Sequence, residues 1–254
     1  MTAILRVQGL TKRFDGLVAN DGIDLEVSRG GIHAVIGPNG AGKTTFMSQI
    51  AGEQLPDSGR IEFDGVEITN LRMPKRVGMG LGRCYQVSRV FTDMPALDNV
   101  AIGVLSRAGR HFRWWGNARK DKDIVSPAQA LLQVVGLEDR GHVDAGNLSH
   151  GERRQLEIAM ALATEPKLLL LDEPMAGLGA QESKRLVRLI SSLCPEKAIL
   201  LIEHDMDVVF ELAQTITVLV NGRVIACGTP DQIRTDERVK DAYLASEHGG
   251  DGHA

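Results

Sequence analysis

A glycine-rich segment that also carries a lysine and two threonines has the composition of a phosphate-binding loop. Residues 37–45 read GPNGAGKTT, which satisfies the pattern GxxxxGK followed by Ser or Thr, between a buried-strand run AVIG and a helical pattern TTFMSQIAG. Glycines let backbone N–H groups converge on phosphate oxygens, and a helix N-terminus adds the positive end of its dipole. Lys43 can reach the β- and γ-phosphates of a nucleotide, and the Thr44 hydroxyl can coordinate Mg²⁺. The alternative is a plain glycine-rich turn, and the Lys-Thr pair in this strand-to-helix context argues against it.

A second candidate site lies where the apolar run LLLLDEP (168–174) ends in two acids. Asp172 can hold Mg²⁺ directly or through water. Glu173, the next residue, can then face the γ-phosphate and polarise a water molecule. The alternative is a charged cap on a buried strand. Together the two motifs predict a P-loop nucleotide hydrolase or kinase.

The composition is that of an ordinary globular protein. Of 254 residues, 43% are hydrophobic and 24% charged, and the formal net charge is −4, so duplex nucleic acid is not an expected partner. Three cysteines lie far apart with no CxxC pair, which is typical of a reducing compartment and not of a disulfide or metal site. The sequence shows neither a signal peptide nor a run of about 18 apolar residues. We therefore expect a cytoplasmic chain without a transmembrane helix.

The order of apolar runs indicates an α/β fold. Residues 4–7 and 23–27 alternate in strand fashion and predict an antiparallel start. Later runs are compatible with strands buried on both faces in a mostly parallel sheet, and Asn221-Gly222 predicts a hairpin after the last of them. These runs are AVIG (34–37), LLLLD (168–172), AILLI (198–202) and TVLV (217–220). The middle third has a helical pattern, so we expect one domain over 1–254 with a helical subdomain inserted at about 87–163.

Two sequence devices predict helix starts. Ser126-Pro127 with Gln129 and Thr229-Pro230 with Gln232 each combine a capping residue, a proline at the first helical position and a box partner.

Further motifs fall in a fixed order around these two sites. LSHGE (148–152) opens a helical pattern before the acidic strand, although its serine and glutamate also form an ordinary capping box. Gln86 lies in GRCYQVSR, and His204 in LLIEHDM follows the next buried-strand run. The five elements in this order resemble the ABC ATPase family over nearly the whole chain, from about Leu5 to Leu244. The resemblance implies an antiparallel N-terminal β subdomain beside the mostly parallel core sheet.

The resemblance also implies a role for each matching residue. Phe14 in LTKRFDG matches the aromatic position that stacks on adenine, although a core phenylalanine is the alternative. Glu173 would be the general base or position the water, and Lys43 and His204 would contact the γ-phosphate. The residues that would bind the phosphates and magnesium are Gly37, Asn39, Gly40, Gly42, Lys43, Thr44 and Thr45. Gln86 would sense the γ-phosphate and join the metal shell with Thr44 and Asp172.

A dimer is part of this expectation. Ser149 and Gly151 would close over an ATP held by a second subunit, so that two chains sandwich two nucleotides. ATP would favour the closed dimer and hydrolysis would open it, a population shift that a membrane partner can use. The expected cofactors are ATP and Mg²⁺. The expected partners are permease subunits, a second ATPase subunit (identical or different) and, indirectly, a periplasmic or extracellular solute-binding protein, with the chain peripheral on the inner face of the cell membrane.

Two features depart from the general family pattern. His150 and Glu152 stand where many members have Gly and Gln, and the segment PMAGLG that ends at Gly179 lacks the aspartate common there. Both changes affect the residues expected to communicate across the dimer.

Several longer segments are similar in sequence to the ATPase subunits of bacterial high-affinity branched-chain amino acid importers. These segments are LTKRFDGLVAND, LSHGERRQLEIAMALA, DEPMAGL, IEHDM and AYLASE. Importers of urea and short-chain amides share much of it and remain an alternative. A non-transport ABC ATPase would usually add a coiled coil, CxxC pairs or a second cassette. A small-molecule P-loop kinase would have no use for LSHGE or His204.

The basic stretch Arg107–Lys122, RAGRHFRWWGNARKDK, leaves two interpretations open. One is a contact surface for membrane subunits or anionic lipid headgroups. The other is a solvated loop of the helical insertion with a tryptophan packed inward.

Overall fold

The computed structural model describes residues 3–85, 90–108, 121–194 and 196–248, with side chains through Tyr243, and contains both strands and helices. The strands are β1 (Ala3–Phe14), β2 (Leu17–Ser28), β3 (Ile32–Ile36), β4 (Ser58–Phe63), β5 (Val66–Glu67), β6 (Leu81–Cys84), β7 (Leu168–Asp172), β8 (Ala198–Ile202), β9 (Thr215–Val220) and β10 (Arg223–Gly228). The helices are α1 (Lys43–Ala51), α2 (Met73–Gly78), α3 (Ala96–Arg107), α4 (Lys122–Val134), α5 (His150–Leu162), α6 (Ala180–Leu193), α7 (Met206–Leu212), α8 (Pro230–Thr235) and α9 (Glu237–His248).

These elements form two compact units. The first unit comprises the chain up to Arg76, Leu170–Glu173 and the chain from Cys194 onward. The second comprises Val77–Leu169 and Pro174–Leu193. Strand β7 therefore begins in the second unit and ends in the first. The predicted insertion at 87–163 falls within the second unit, and its boundaries stay a prediction.

The first unit opens with an antiparallel sheet of order β2-β1-β4-β5. Strand β1 pairs antiparallel with both β2 and β4, and along β2 buried and exposed residues alternate, as in a sheet with one solvated face. The antiparallel start predicted from residues 4–7 and 23–27 is confirmed, and the strands are longer than those runs because the added segments contain glycine and polar residues that interrupt the alternation.

The second sheet of the fold has the order β10-β9-β3-β8-β7-β6. Strand β3 lies between β8 and β9 and runs parallel to both. All five residues of β3, β7 and β8 are buried, which explains why these strands have continuous apolar sequences. The predicted mostly parallel core is confirmed.

The hairpin between β9 and β10 follows the sequence prediction. Arg223 pairs with Val220 across a two-residue turn in which Asn221 has φ 47° and Gly222 has φ 77°. Left-handed backbone at both central residues is the geometry that favours Asn-Gly in a tight hairpin.

Helices α7, α8 and α9 cover one side of this part of the sheet. Their buried side chains Val209, Ile233 and Val239 share a core cluster with Ile36 of β3 and Val218 of β9. The packing holds β3 in place at the residue before the phosphate loop.

A buried arginine closes the C-terminal end of α1. Arg76 is 0% exposed, and its guanidinium donates to the backbone carbonyls of Gln49, Ile50, Thr69 and Leu71. Burial lowers the pKa of Arg76 to about 10. The last carbonyls of a helix lack partners within the helix, so this side chain acts as its cap.

One predicted helix start is wrong and one is confirmed. Helix α4 begins at Lys122, because the Asp121 side chain accepts a hydrogen bond from Asp123 N–H, and Pro127 lies inside the helix. Helix α8 begins at Pro230 with Thr229 and Gln232 in a complete capping box. Among the helices of the described residues, none is both long and apolar enough to span a bilayer.

Candidate nucleotide-binding site

The glycine-rich loop leads directly from β3 into α1. The residue before the helix is Gly42, in left-handed backbone with φ 97°, and no side chain among the described residues caps this end. The first N–H groups of α1 therefore point toward the loop, together with the positive end of the helix dipole, and this arrangement favours an anion.

Two glycines of the loop are required by close backbone neighbours. A Cβ on Gly37 would lie 2.0 Å from the Leu219 carbonyl oxygen, and one on Gly42 would lie 2.2 Å from the Ala19 carbonyl oxygen. Both distances are far inside van der Waals contact, so any side chain at these positions would displace the loop from its neighbours.

Lys43 is held inside the loop. Its ammonium donates to the carbonyl oxygens of Gly37 at 2.7 Å and Pro38 at 3.0 Å, and only 7% of the residue is exposed. Burial lowers the pKa of Lys43, and the negative charges of Glu173 and Asp172 oppose this shift. The ammonium is thus preorganised beside the loop, within the field of the two acids at the end of β7.

Residues that the motif search missed fix the loop from outside. The fully buried Asn20 side chain donates to the carbonyls of Ala19 at 2.8 Å and Gly42 at 3.1 Å, and its oxygen accepts from Gln49. On another side, Gly222 N–H donates to the Ala41 carbonyl at 3.0 Å. No sequence pattern indicates a role for Asn20. The Asn-Gly pair predicts the hairpin but not its hydrogen bond to the phosphate loop.

The two acids at the end of β7 differ in their burial and in their backbone conformation. Asp172 is 3% exposed, whereas Glu173 is half-buried. Glu173 has φ 47°, and its N–H donates to the Ile202 carbonyl of β8 at 2.9 Å. Left-handed backbone is uncommon for a residue other than glycine and costs on the order of 1–3 kcal/mol, and such strain is often found at functional sites.

His204 follows β8, the strand between β3 and β7. Its side chain is 62% exposed, whereas the side chain of the preceding Glu203 is 0% exposed. One carboxylate oxygen of Glu203 accepts from His204 N–H at 3.1 Å and lies 3.8 Å from Nδ1. No sequence motif marks Glu203 as a buried neighbour of His204, because an acid at a strand end gives no indication of its burial.

The aromatic residue proposed for adenine is on the surface. Phe14 ends β1 with 41% of its surface exposed, and the Lys12 ammonium lies 5.5 Å from the ring centroid. The alternative of a core phenylalanine is therefore wrong. An exposed ring at the end of β1 is available for stacking on an adenine base. The contact with adenine itself stays a prediction.

The remaining predicted residues of the loop are accessible. Asn39, Gly40 and Thr44 are exposed and Thr45 is half-buried. Because β3, β8 and β7 are neighbours in the sheet order, the sequence segments that follow them meet at one edge of the sheet. The fold thus collects the phosphate loop, the acidic pair and His204 at that edge.

In the second unit, Ser149 and Gly151 lie at the start of α5. Ser149 is the N-cap in a complete capping box with Glu152, and Arg140 donates to Glu152 at 2.8 Å. Hydrogen bonding from the Ser149 backbone and from Arg140 lowers the pKa of Glu152, although burial acts against it. The predicted capping box is confirmed. These side chains line a cavity of about 280 Å³ together with Glu182 and Arg185.

Comparison with known proteins identifies the family. A model described as "ABC transporter" matches residues 20–176, and a model described as "Branched-chain amino acid ATP-binding cassette transporter" matches residues 223–244. The chain belongs to the ABC transporter family. It is therefore an ATPase of the ATP-binding cassette type, and the first match spans both the phosphate loop and the acidic pair.

Similar ABC proteins align along nearly the whole chain. The high-affinity branched-chain amino acid transport ATP-binding protein BraF of Pseudomonas aeruginosa is 38% identical over 248 residues, which cover 95% of this chain and 97% of that protein. LivG of Escherichia coli, with the same description, is 36% identical over 255 residues, with coverage of 95% and 97%. Among solved structures, the ADP conformation of MJ1267, an ATP-binding cassette of an ABC transporter, has a TM-score of 0.86 and 28% identity, covering 96% of this chain and 99% of that chain.

Two sequence predictions about this ABC ATPase fall outside the described residues. Gln86 is one, and the other is most of the basic stretch, residues 109–120. Of that stretch, Arg107 ends α3 and forms an ion pair with Glu165. Both interpretations of the stretch stay predictions.

Proposed function

We propose that this ABC ATPase drives the import of branched-chain or other hydrophobic amino acids. The match of residues 223–244 to the branched-chain transporter model carries the proposal, because this segment lies outside the general ABC match at 20–176. The relatives BraF and LivG, both named for branched-chain amino acid transport, support it over nearly the full length of the chain.

ATP is the nucleotide of this proposal. Its adenine stacks on the exposed ring of Phe14, and its β- and γ-phosphates lie on the N-terminal end of α1. Lys43 exchanges its contacts with the Gly37 and Pro38 carbonyls for phosphate oxygens. A charge-assisted bond to phosphate is stronger than one to a neutral carbonyl, so the exchange favours the bound state.

Mg²⁺ fits the donors present at the loop. It prefers oxygen ligands and is usually held by one or two carboxylates together with phosphate oxygens and water. Asp172 offers a buried carboxylate and Thr44 an exposed hydroxyl, and Gln86 is the third proposed ligand. No group of three His, Cys, Asp or Glu side chains suited to a metal occurs in the described residues. When bound, Mg²⁺ would neutralise charge that develops on the phosphate oxygens.

Glu173 orients the attacking water and accepts its proton, and His204 contacts the γ-phosphate. The bond from Glu173 N–H to the Ile202 carbonyl fixes the backbone that carries the carboxylate. Catalysis then depends on positioning and electrostatic stabilisation, and no covalent enzyme intermediate is needed.

Two such subunits form the active ATPase dimer. Ser149 and Gly151 of one subunit cover the ATP bound by the other, and hydrolysis releases the closed dimer. The second subunit is identical or a different ATPase subunit, and permease subunits on the inner face of the membrane use the opening and closing. A solute-binding protein delivers the amino acid on the far side.

Uptake by intact cells tests the transport proposal. Deleting the gene in its host should reduce uptake of radiolabelled leucine, and the wild-type gene should restore it. A Lys43→Ala gene should not restore uptake, because the variant lacks the phosphate-binding ammonium. The matched variant Lys184→Ala, at an exposed position of α6, should restore it fully.

Uptake of urea by the same strains separates the alternatives. Unchanged leucine uptake with loss of urea uptake would replace the amino-acid assignment by the urea and amide assignment. Restoration of leucine uptake by Lys43→Ala would contradict the role of ATP hydrolysis in transport.

A further inference from the structure

His150, one of the two departures from the family pattern, contacts the loop that follows the acidic pair. It is the first residue of α5, and its ring Nε2 lies 3.1 Å from the Ala176 carbonyl oxygen. A carbonyl oxygen only accepts hydrogen bonds, so Nε2 carries the proton and donates. Both residues belong to the second unit.

The ring of His150 also lies against the backbone of the next residue. Gly177 has φ 75°, and a Cβ placed there would be 3.2 Å from Nε2 and 3.6 Å from Cδ2 of His150. Left-handed backbone at Gly177 turns the loop beneath the imidazole, and the absence of a side chain allows the ring to approach.

Glu182 of α6 bonds the end of this loop and lies close to Gly151 of α5. One carboxylate oxygen of Glu182 accepts from Gly179 N–H at 3.2 Å. The other lies where a Cβ on Gly151 would be only 2.6 Å away. The loop Met175–Gly179 is thus bonded to α5 through His150, and its last residue is bonded to Glu182, which lies close to Gly151 of α5.

We propose that His150 is a positioning residue that fixes the loop Met175–Gly179 onto the first turn of α5 within one chain. The position of Ala176, three residues after Glu173, means that this bond restrains the backbone leaving the catalytic glutamate. The same bond makes the loop follow Ser149 and Gly151 when they close over nucleotide. A glycine at 150 could not make the contact, so the bond between α5 and this loop depends on the departure at position 150.

The inference rests on the proposed roles of Glu173 and Ser149, and it predicts an effect on turnover and not on nucleotide binding. The ATP-binding residues Lys43 and Thr44 lie on α1, far from His150 in sequence. The loss of one exposed hydrogen bond should therefore lower kcat about 3- to 10-fold and leave KM within about 2-fold.

Steady-state ATPase kinetics of the full-length chain with Mg-ATP test the proposal in four variants. His150→Phe keeps a ring without a donor, His150→Gly removes the side chain, and His150→Gln restores an amide donor of similar reach. The control is His142→Phe, the same substitution at an exposed histidine before α5. We expect low kcat for Phe and Gly at 150, at least half of the wild-type kcat for Gln, and wild-type kcat for His142→Phe. Thermal unfolding of each variant checks that it is folded.

Several results would overturn the inference. They are wild-type kcat in His150→Gly, equal losses in His150→Gln and His150→Phe, or a loss confined to KM. Glu173→Gln, assayed in parallel, separates this failure from that of the proposed function. If Glu173→Gln retains full activity, the catalytic assignment is wrong, whereas if it is inactive and His150→Gly is wild-type, only the positioning role is wrong.

Discussion

The side-chain amide of Asn20 donates to the Gly42 carbonyl at 3.1 Å and thereby joins β2 to the residue that precedes α1. Asn20 is completely buried, and its oxygen accepts from Gln49. Together with its bond to the Ala19 carbonyl, one side chain therefore serves three polar groups from β2, the phosphate loop and α1.

Replacing Asn20 should weaken both the fold and the site. Asn20→Ala leaves the Gly42 carbonyl and the Gln49 amide without this partner, so we expect the free energy of unfolding to fall by about 1–3 kcal/mol. Affinity for a fluorescent ATP analogue should fall as well, because the loop loses its support. Urea denaturation and nucleotide titration measure the two effects. The control Asn147→Ala, at an exposed position of the second unit, should change unfolding by less than about 0.5 kcal/mol.

Glu173→Gln should separate ATP binding from hydrolysis. The amide keeps the shape of the side chain but cannot accept a proton, so ATPase activity should fall at least about 100-fold while ATP still binds. Because hydrolysis no longer opens the dimer, light scattering should show the molecular mass doubling on addition of Mg-ATP. A monomer that binds ATP without doubling would contradict self-pairing and direct the search to a different ATPase partner. Adding Lys43→Ala should abolish the doubling.

The left-handed backbone of Glu173 predicts an inverted order of stability for two small substitutions. With φ at 47°, Glu173→Gly relieves a steric conflict that Glu173→Ala keeps, so the glycine variant should be more stable by about 1 kcal/mol. At Arg188, an exposed residue inside α6, glycine should instead be less stable than alanine by about 1 kcal/mol. Urea denaturation of the four variants measures both differences, and the same order at both positions would show that Glu173 is not strained.

Stability should depend on pH through His33. This residue of β3 is 4% exposed, and its Nε2 lies 2.8 Å from the Thr217 hydroxyl. Burial lowers the pKa of His33 to about 4 from the ordinary 6.5, with a hydrogen bond to the Glu26 backbone acting against the shift. The folded state thus binds the proton more weakly than the unfolded state, so the contribution is complete above about pH 6.5 and is lost as pH falls toward 4.

By pH 5 we expect a loss of about 2 kcal/mol in unfolding free energy from this group. Urea denaturation between pH 7.5 and 4.5 measures it. His33→Gln should flatten the dependence over this interval, whereas His142→Gln, at an exposed histidine, should leave it unchanged. Identical slopes in His33→Gln and the wild type would assign the dependence to other groups.

The sequence predicted the parts of the fold that local pattern determines. Continuous apolar runs gave β7 and β8 correctly, and Asn221-Gly222 gave the hairpin, because strand burial and turn geometry act over a few residues. Ser126-Pro127 misled the prediction of α4, since Asp121 offers a competing cap five residues earlier and the proline is accommodated inside the helix.

The polar side chains inside the fold could not be predicted in this way. Asn20 and Arg76 both bond to the backbone of distant segments, and nothing in their neighbouring residues distinguishes them from exposed polar residues. The motifs named the residues expected to face a nucleotide, but the contacts that hold those residues depend on the assembled sheet. The sequence marks His150 as a departure from the family pattern, but its contact with the Ala176 carbonyl depends on the folded chain and could not be predicted.

The position of β3 between β8 and β9 also determines when the site can form during synthesis. Both partner strands follow β3 far along the sequence, so neither edge of β3 can pair until the chain has been synthesised as far as β8 and β9. The phosphate loop is connected to that strand and acquires its final shape only then. Chains truncated or stalled before β8 therefore carry the complete GPNGAGKTT sequence without the strands that shape it, and ATP binding marks a chain whose synthesis has passed β9.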